Sequence, residues 1–370
     1  MTYNRTPLRV LVVDDSALYR KIVRDVLQSA PDVEVVGTAA NGMLALSQIA
    51  SLKPDVITLD FEMPKLDGIG VLKKIAGQPN APAAIMVSAF TASGAAATTS
   101  ALQEGAFDFI LKPNTKSLDE SVEQLRRDLL PKLQACRTRS ATKKAQRLPT
   151  AAPARQSVAA APRRVATATR SSFPARKPEI LGIAVSTGGP QALSQLLPKL
   201  PADFPCPIVM VQHMPPMFTA SLAADLDRRC KLQVDEGSDG MLLKKGQIVI
   251  APGGKQMRLA SASGGARIEI TNDPPERNCK PAADYLFRSI ASIYGAKSLG
   301  VVLTGMGDDG TLGAQAIKKA GGTIIAQDEQ SCVVYGMPKS IVENGLADCV
   351  APLDQISARL ADVTQGRVLV

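Results

Sequence analysis

The sequence predicts an α/β protein made of two doubly wound domains joined by a linker. Short apolar runs of the length of buried strands alternate with helix signals in both halves of the chain. A basic stretch rich in Ala, Pro, Ser and Thr separates the two halves. The chain has 370 residues, 45% of them hydrophobic, which is enough for two domains with cores of their own.

The N-terminal half contains five strand signals, each a short apolar run. Ser16 is expected to cap a helix that runs through Leu27, and a second helix is predicted over Asn41–Ile49. This alternation predicts a five-stranded doubly wound sheet. The strands are predicted over Leu8–Val13, Val33–Val36, Val56–Leu59, Ala84–Val87 and Phe107–Leu111.

Polar residues follow four of these strands at their carboxyl ends. Three carboxylates meeting at one sheet edge are costly unless a cation joins them, and oxygen ligands suit Mg²⁺. A lysine and a hydroxyl nearby could hold the oxygens of a phosphoryl group on a carboxylate. Taken singly, each has a structural alternative as a helix cap, a turn residue or a surface charge. The residues are Asp14, Asp15, Asp60, Ser88 and Lys112.

The linker, residues 136–178, accounts for all of the net charge of +9. Eleven Lys and Arg lie between Arg137 and Pro178 with no acid among them, so the rest of the chain is slightly acidic. The composition predicts a flexible tether, with contact to an acidic partner surface as the alternative.

The stretch Ile180–Gln191 reads as a buried strand that runs into a glycine turn and then a helix, with Ser186 at the turn. Backbone N–H groups and the helix amino terminus beside this hydroxyl could hold developing negative charge. A serine N-cap or a phosphate-binding turn is the alternative interpretation. A dinucleotide site is excluded because the GxGxxG spacing is missing.

Two further buried strands end in chemically useful side chains. Pro207–His213 ends at His213, which is the single histidine of the sequence, and Leu299–Leu303 runs into the loop TGMGDDG with Asp308 and Asp309. Ligands of open parallel sheets bind outside the carboxyl ends of strands. The three strands therefore predict a serine nucleophile, an imidazole base and an orienting acid at one edge.

The remaining C-terminal elements continue the α/β pattern. Helices are predicted over Met217–Arg229 and Pro281–Tyr294. After the strand Gln247–Ala251, the segments APGGKQMRL and ARIEI predict a hairpin at the sheet edge.

Four motifs in this order, STGGP, QHMPP, TGMGDDG and AQDEQSCVVYGMP, closely resemble the chemotaxis protein-glutamate methylesterase family from about Leu181 onward. The resemblance implies that Ser186 is the nucleophile, His213 the general base and Asp309 the third member. It also implies that Met306 contributes a backbone N–H to the oxyanion hole and that Thr187 lines the site. The stretch RNCKPAADYLF is less basic than usual in the family, and Gln256 stands where a histidine is frequent, which leaves the family's basic substrate contacts unassigned here.

Residues from about Leu8 to Leu133 resemble the receiver domain of bacterial response regulators. The resemblance implies phosphorylation of Asp60 by a histidine kinase and Mg²⁺ held by Asp14, Asp15, Asp60 and the carbonyl of Glu62. It further implies a conformational switch. The switch residues are Ser88, Phe109 and Lys112.

The predicted organisation is a five-stranded flavodoxin-like receiver domain over 6–135, the linker over 136–178, and a doubly wound, mostly parallel catalytic domain over 179–370. The resemblances imply a phosphorylation-activated hydrolase that removes methyl esters from receptor glutamates and deamidates receptor glutamines, with no cofactor for hydrolysis. A receiver domain packed over Ser186 is expected to inhibit hydrolysis until Asp60 is phosphorylated. An inactive adaptor and a DNA-binding regulator are the alternatives, although no helix-turn-helix pattern follows the receiver.

The N-terminal sequence, the apolar runs and the cysteine pattern predict the compartment and the partners of the protein. The N-terminus has no secretion-signal pattern, and no run approaches the roughly 20 apolar residues of a membrane helix, so a cytoplasmic protein without membrane insertion is expected. The six cysteines are scattered without a CxxC pair, which predicts reduced thiols. We expect a monomer that binds no nucleic acid.

Overall fold

The structure is a computed structural model, and it describes residues 6–78, 80–114, 117–147 and 177–367. It contains two α/β domains, each organised around a parallel sheet. The predicted fold class is confirmed.

The N-terminal sheet has five parallel strands in the order β2-β1-β3-β4-β5. Ser16 and Asn41 cap the first two helices by accepting backbone N–H bonds from Tyr19 and Leu44. The strands are β1 Leu8–Val13, β2 Val33–Ala39, β3 Val56–Asp60, β4 Ala83–Ser88 and β5 Asp108–Leu111. The helices are α1 Ala17–Gln28, α2 Gly42–Leu52, α3 Gly68–Ile75, α4 Ala92–Gln103 and α5 Leu118–Arg147.

Helix α5 continues beyond the expected end of the first domain at residue 135 and runs to Arg147. The first part of the predicted linker is therefore helical, whereas residues 148–176 lie outside the described residues. Leu133 and Cys136 are buried against the core beneath α1, which anchors the helix at this point. Ala, Lys and Arg, which contributed to the prediction of a tether, are also good helix formers, so composition alone does not distinguish a tether from a helix.

The C-terminal sheet has seven parallel strands in the order β14-β13-β12-β6-β7-β9-β8. Its strands are β6 Ile180–Val185, β7 Ile208–Gln212, β8 Gln233–Glu236, β9 Gln247–Ile250, β12 Ser298–Val302, β13 Thr323–Gln327 and β14 Cys349–Ala351, and β10 and β11 form the hairpin. Its helices are α6 Gly189–Leu196, α7 Phe218–Asp227, α8 Ala283–Tyr294, α9 Thr311–Lys319, α10 Met337–Glu343 and α11 Leu353–Thr364.

The predicted hairpin is present, but the prediction that it lies at the edge of the sheet is wrong. Strands β10 Gln256–Ala262 and β11 Gly265–Thr271 pair only with each other among the described strands, and β8 takes the edge beside β9. The hairpin buries Met257, Leu259 and Ile268 in the apolar cluster that contains α8. Burial of this face favours packing against a helix over pairing with the sheet.

The strands that carry the predicted catalytic residues are neighbours at the centre of the sheet. β12, β6 and β7 are consecutive and parallel, so their carboxyl ends meet at one edge. The N-terminal domain packs near this edge. Leu102 of α4 and Phe109 of β5 share one buried apolar cluster with Phe218 and Leu222 of α7.

Candidate active site

Ser186 lies in the turn between β6 and α6. Its backbone N–H donates to Thr304 O at 3.0 Å, and its carbonyl accepts from Gly189 N at 2.7 Å. Gly188 makes the turn possible with a φ of +78°, a left-handed conformation that glycine adopts without strain. In the described part of the chain the Ser186 hydroxyl has no hydrogen-bond partner, and the residue lines the cavity at the sheet edge.

His213 follows β7 and contacts Asp309 directly, with Nε2 2.7 Å from Oδ2. Asp309 is buried and also accepts backbone N–H bonds from Ala283 at 2.7 Å and from Asp284 and Gly310 at 2.9 Å. Burial alone would raise the pKa of Asp309, but the bonds from His213 and the backbone outweigh it and lower the pKa. Asp309 is thus held as a carboxylate that orients the imidazole.

The second ring nitrogen of His213 is turned away from Asp309. A carboxylate can only accept, so in the neutral imidazole Nε2 carries the hydrogen and Nδ1 has the free lone pair. Nδ1 lies 3.8 Å from the Cys279 thiol. Burial favours a lower pKa for His213, but the bonds to Asp309 and Cys279 raise it to about 9.

Gln212 is a site residue that the sequence analysis missed. Its Nε2 donates to the carbonyl of Ser186 at 3.0 Å and lies 3.3 Å from the carbonyl of His213. A buried amide in the otherwise apolar strand PIVMVQH is the signal that could have identified it. Gln212 joins the backbones of the predicted nucleophile and base.

Thr187 and Met306, the predicted lining residues, both contact the N-terminal domain. The Thr187 hydroxyl donates to Asp108 Oδ2 at 2.6 Å, and its carbonyl accepts from the hydroxyl of Thr304 at 2.9 Å. Met306 packs against the apolar cluster that contains Leu129 of α5. Asp108 is a second residue that sequence reasoning did not single out.

The cavity at this edge has a volume of about 500 Å³ and is walled by both domains. The C-terminal domain contributes Ser186, His213 and Cys279, and the N-terminal domain contributes Asp108 and Phe109 among other residues. The ring of Phe109 stacks on Phe218, with centroids 4.9 Å apart and planes at 13°. The predicted switch aromatic therefore lies in the boundary between the domains.

A second cluster lies in the N-terminal domain, where carboxylate oxygens of Asp14, Asp15 and Asp60 come within 4.8 Å of one another. Lys112 Nζ is 2.7 Å from Asp60 Oδ2 and 3.0 Å from Asp14 Oδ2. Burial is the largest influence on Asp60 and, with the neighbouring Asp14 charge, raises its pKa to about 6 despite Lys112. Glu62 lines the same cavity, and the oxygen donors fit Mg²⁺.

Ser88 lies beside this acidic cluster on the wall of the same cavity. Its hydroxyl accepts from Thr98 Oγ1 at 2.8 Å, and it donates towards the carbonyl of Ala89 at 3.2 Å. The structure thus brings together the predicted receiver residues Asp60, Ser88 and Lys112, and it places Phe109 apart from them at the domain boundary.

Comparisons with known proteins agree with this arrangement. Residues 181–360 match the CheB methylesterase family, and residues 10–123 match the response regulator receiver domain. The chain is 46% identical over 355 residues to the protein-glutamate methylesterase/protein-glutamine glutaminase of Desulfotalea psychrophila, covering 95% of this chain and 97% of that one. It is 43% identical over 362 residues to the protein of the same name from Thermotoga maritima, covering 96% and 98%.

A solved structure is also similar to the second half of the chain. The crystal structure of the Thermotoga maritima CheB methylesterase catalytic domain is 45% identical, with a TM-score of 0.50. The match covers 50% of this chain and 98% of that one. None of the helices in the described part of the chain combines the length and apolar character that crossing a bilayer requires.

Proposed function

Because the chain belongs to the CheB methylesterase family and carries a receiver domain ahead of its methylesterase domain, we propose that it hydrolyses glutamate methyl esters of chemotaxis receptors and deamidates receptor glutamines. Ser186, His213 and Asp309 are the proposed catalytic residues. The 2.7 Å contact between His213 and Asp309, at the sheet edge where β6 also delivers Ser186, is the observation that supports this assignment.

The proposed reaction is a two-step acyl transfer. Ser186 Oγ attacks the ester carbonyl while its proton passes to His213 Nδ1, and the imidazolium then protonates the departing methoxide to give methanol. Water hydrolyses the acyl-enzyme by the same route in reverse, leaving a glutamate carboxylate. With a glutamine substrate, ammonia leaves in place of methanol. Asp309 keeps the hydrogen on Nε2 and stabilises the imidazolium.

Backbone amides are the proposed oxyanion donors. The proposed donors are the N–H groups of Thr187 and Met306, because both residues line the cavity beside Ser186, and α6 begins at Gly189. Fixed N–H dipoles of this kind stabilise a tetrahedral oxyanion more strongly than water does, because they need no reorganisation.

Regulation is proposed to run through phosphorylation of Asp60 by a histidine kinase. Asp14, Asp15, Asp60 and the Glu62 carbonyl would hold Mg²⁺, which when bound neutralises charge around the phosphoryl group. Lys112 and Ser88 would contact the phosphoryl oxygens. The side chain of Phe109 would then change its conformation. The stack of Phe109 on Phe218 and the receiver residues in the cavity wall support the idea that the unphosphorylated receiver restricts access.

Methanol release from methylated receptor membranes, with and without a small phosphodonor, tests the proposal. Ser186→Ala and His213→Ala are each expected to lower turnover by about 10⁴ to 10⁶, as triad removals do. Ser238→Ala changes an exposed serine and is the matched control. Turnover that survives Ser186→Ala would refute the mechanism.

The regulatory part needs a separate comparison. The full chain with phosphodonor and a fragment beginning near Glu179 are both expected to exceed the full chain with Asp60→Ala. Equal rates in all three would refute inhibition by the receiver.

The substrate region is proposed to be the helical cytoplasmic part of the receptors. The protein is therefore proposed to act in the cytoplasm.

A further inference from the structure

We propose that Cys279 and His213 form a binding site for a thiophilic divalent cation such as Zn²⁺, and that the bound cation shuts off hydrolysis. The thiol and the free ring nitrogen of His213 face each other at 3.8 Å inside the catalytic cavity. Together with Asp309 they make a cluster whose ligand atoms lie within 4.8 Å of one another. Thiolate and imidazole are the ligands that Zn²⁺ prefers in proteins.

The separation of the two donor atoms fits one tetrahedral ion. Zinc bonds of about 2.3 Å to sulfur and about 2.0 Å to nitrogen place the two donors about 3.5 Å apart. The observed 3.8 Å requires a shift of only a few tenths of an ångström.

Asp309 supports the site from the far side of the ring. Its contact with Nε2 fixes the imidazole so that Nδ1 presents its lone pair towards Cys279. Carboxylate, histidine and metal in this order is the arrangement that orients histidine ligands in zinc proteins. The His213 ring is therefore oriented for a metal on the Cys279 side.

The backbone holds Cys279 in place. Cys279 N donates to Glu276 O at 2.7 Å and Glu276 N donates to Cys279 O at 3.1 Å, which closes a tight loop. Arg277 within that loop is anchored to Asp284 at 3.3 Å and hydrogen-bonds Asp308. Little chain entropy remains to be lost when the thiol binds a cation.

The cavity leaves room for the rest of the coordination shell. It has a volume of about 500 Å³, and Cys279 is the one cysteine among the residues that line it. Waters can complete the tetrahedron, as they do in zinc sites that are not fully closed by protein. Binding requires a thiolate and a neutral imidazole, so the protons held by these two groups are released to solvent.

Inhibition follows because the bound cation occupies Nδ1 of His213. The inhibitory role rests on the proposed function. Nδ1 is the atom that would take the Ser186 proton. A cation bound there uses the same lone pair, so Ser186 loses its base. Metal binding itself does not depend on the hydrolase assignment.

The binding test uses Co²⁺ as a spectroscopic probe and the full chain with Mg²⁺ saturating the acidic cluster of the receiver. We expect one equivalent of Co²⁺ to give a thiolate-to-cobalt charge-transfer band. Cys279→Ser and, as a second variant, Cys279→Ala should remove the band, whereas Cys230→Ser, at a cysteine away from the cavity, should keep it. A band that persists without Cys279, or no band in the parent chain, overturns the site.

The inhibition test titrates Zn²⁺ against methanol release, with each variant compared to its own metal-free rate. We expect Cys279→Ser to raise the half-inhibitory Zn²⁺ concentration at least tenfold and Cys230→Ser to leave it unchanged. Equal sensitivity of Cys279→Ser and the parent chain overturns the inhibitory role. A Cys279-dependent Co²⁺ band in a chain with no metal-free esterase activity supports the site and refutes the proposed function instead.

Discussion

Thr187 donates its hydroxyl hydrogen to Asp108 across the boundary between the two domains, with Oγ1 2.6 Å from Oδ2. Both residues are buried, and Lys132 Nζ lies 2.8 Å from the same carboxylate oxygen. Thr187 directly follows Ser186, and Asp108 directly precedes Phe109. One hydrogen bond thus joins the neighbour of the proposed nucleophile to the neighbour of the proposed switch aromatic.

Removing this bond should activate the unphosphorylated chain. A hydrogen bond to a charged group contributes about 1.5–3 kcal/mol, and part of that is recovered by water once the domains separate. Asp108→Ala is expected to raise methanol release without phosphodonor by about tenfold, equivalent to about 1.4 kcal/mol. The rate with phosphodonor should change little, because in the phosphorylated chain this bond no longer restrains the active site.

Asp25→Ala is the control for this change, since Asp25 is an exposed carboxylate on α1 that forms an ion pair with Arg24 at 3.8 Å. It should leave both rates unchanged. An Asp108→Ala chain with the basal rate of the parent would show that this bond does not hold the domains together.

The stack between Phe109 and Phe218 gives a second prediction about the boundary. Aromatic pairs contribute about 0.5–1.5 kcal/mol beyond the area they bury. Phe218→Leu is therefore expected to raise the unphosphorylated rate severalfold, as measured by methanol release, while Asp60 still accepts phosphate. Phe204→Leu removes a buried ring from the same apolar cluster, leaves Phe109 and Phe218 unchanged and serves as the control. If both variants alter the rate alike, general loosening of the core explains the effect better than the stack does.

The raised pKa of His213 predicts that the esterase is more active at alkaline pH than at neutral pH. The neutral imidazole is the base, and a pKa of about 9 leaves roughly a hundredth of it neutral at pH 7. We expect kcat/KM to rise with pH, to inflect near 9 and to level off above. Cys279→Ala removes one hydrogen bond that raises this pKa, so its inflection should move to lower pH. A profile that is flat between pH 7 and 10 would contradict the protonated resting state.

The sequence predicted those features that depend on local periodicity and sheet geometry. The strand ends at Ser186, His213 and Asp309 could be placed at one edge because parallel strands must share an orientation. The same reasoning placed Asp14, Asp15, Asp60, Ser88 and Lys112 at one edge of the N-terminal sheet. These positions need only the order of elements along the chain.

What the sequence could not predict depends on how separate elements pack. Alternation in β10 and β11 indicates a hairpin but does not say which surface covers its apolar face. The bond between Thr187 and Asp108 requires a docking of two domains that no local pattern encodes. Cys279 was noted as part of an unusual stretch, but its approach to His213 depends on a tight loop distant in sequence.

Gln212 carries the last prediction because its amide donates to the Ser186 carbonyl at 3.0 Å and lies near that of His213. Gln212→Leu keeps the approximate volume and removes the donor, so the spacing of nucleophile and base should relax. Misplacement by about 1 Å can cost roughly 10²-fold, so we expect kcat to fall by about 10- to 100-fold. KM should stay within about twofold, because Gln212 is buried and its amide is occupied by the Ser186 carbonyl.

Gln247→Leu provides the matched comparison, since Gln247 is also a buried glutamine on a strand of the same sheet, with Nε2 2.9 Å from Asp235. Both substitutions remove a buried side-chain amide together with its hydrogen bonds and should lower the thermal midpoint by similar amounts. A purely structural role for Gln212 predicts equal kcat in the two variants, whereas a role in positioning Ser186 predicts a loss confined to Gln212→Leu. The inflection of the pH profile should stay in place in both, because neither residue contacts the imidazole ring nitrogens. A shifted inflection in Gln212→Leu would instead show that the amide acts on the protonation of His213.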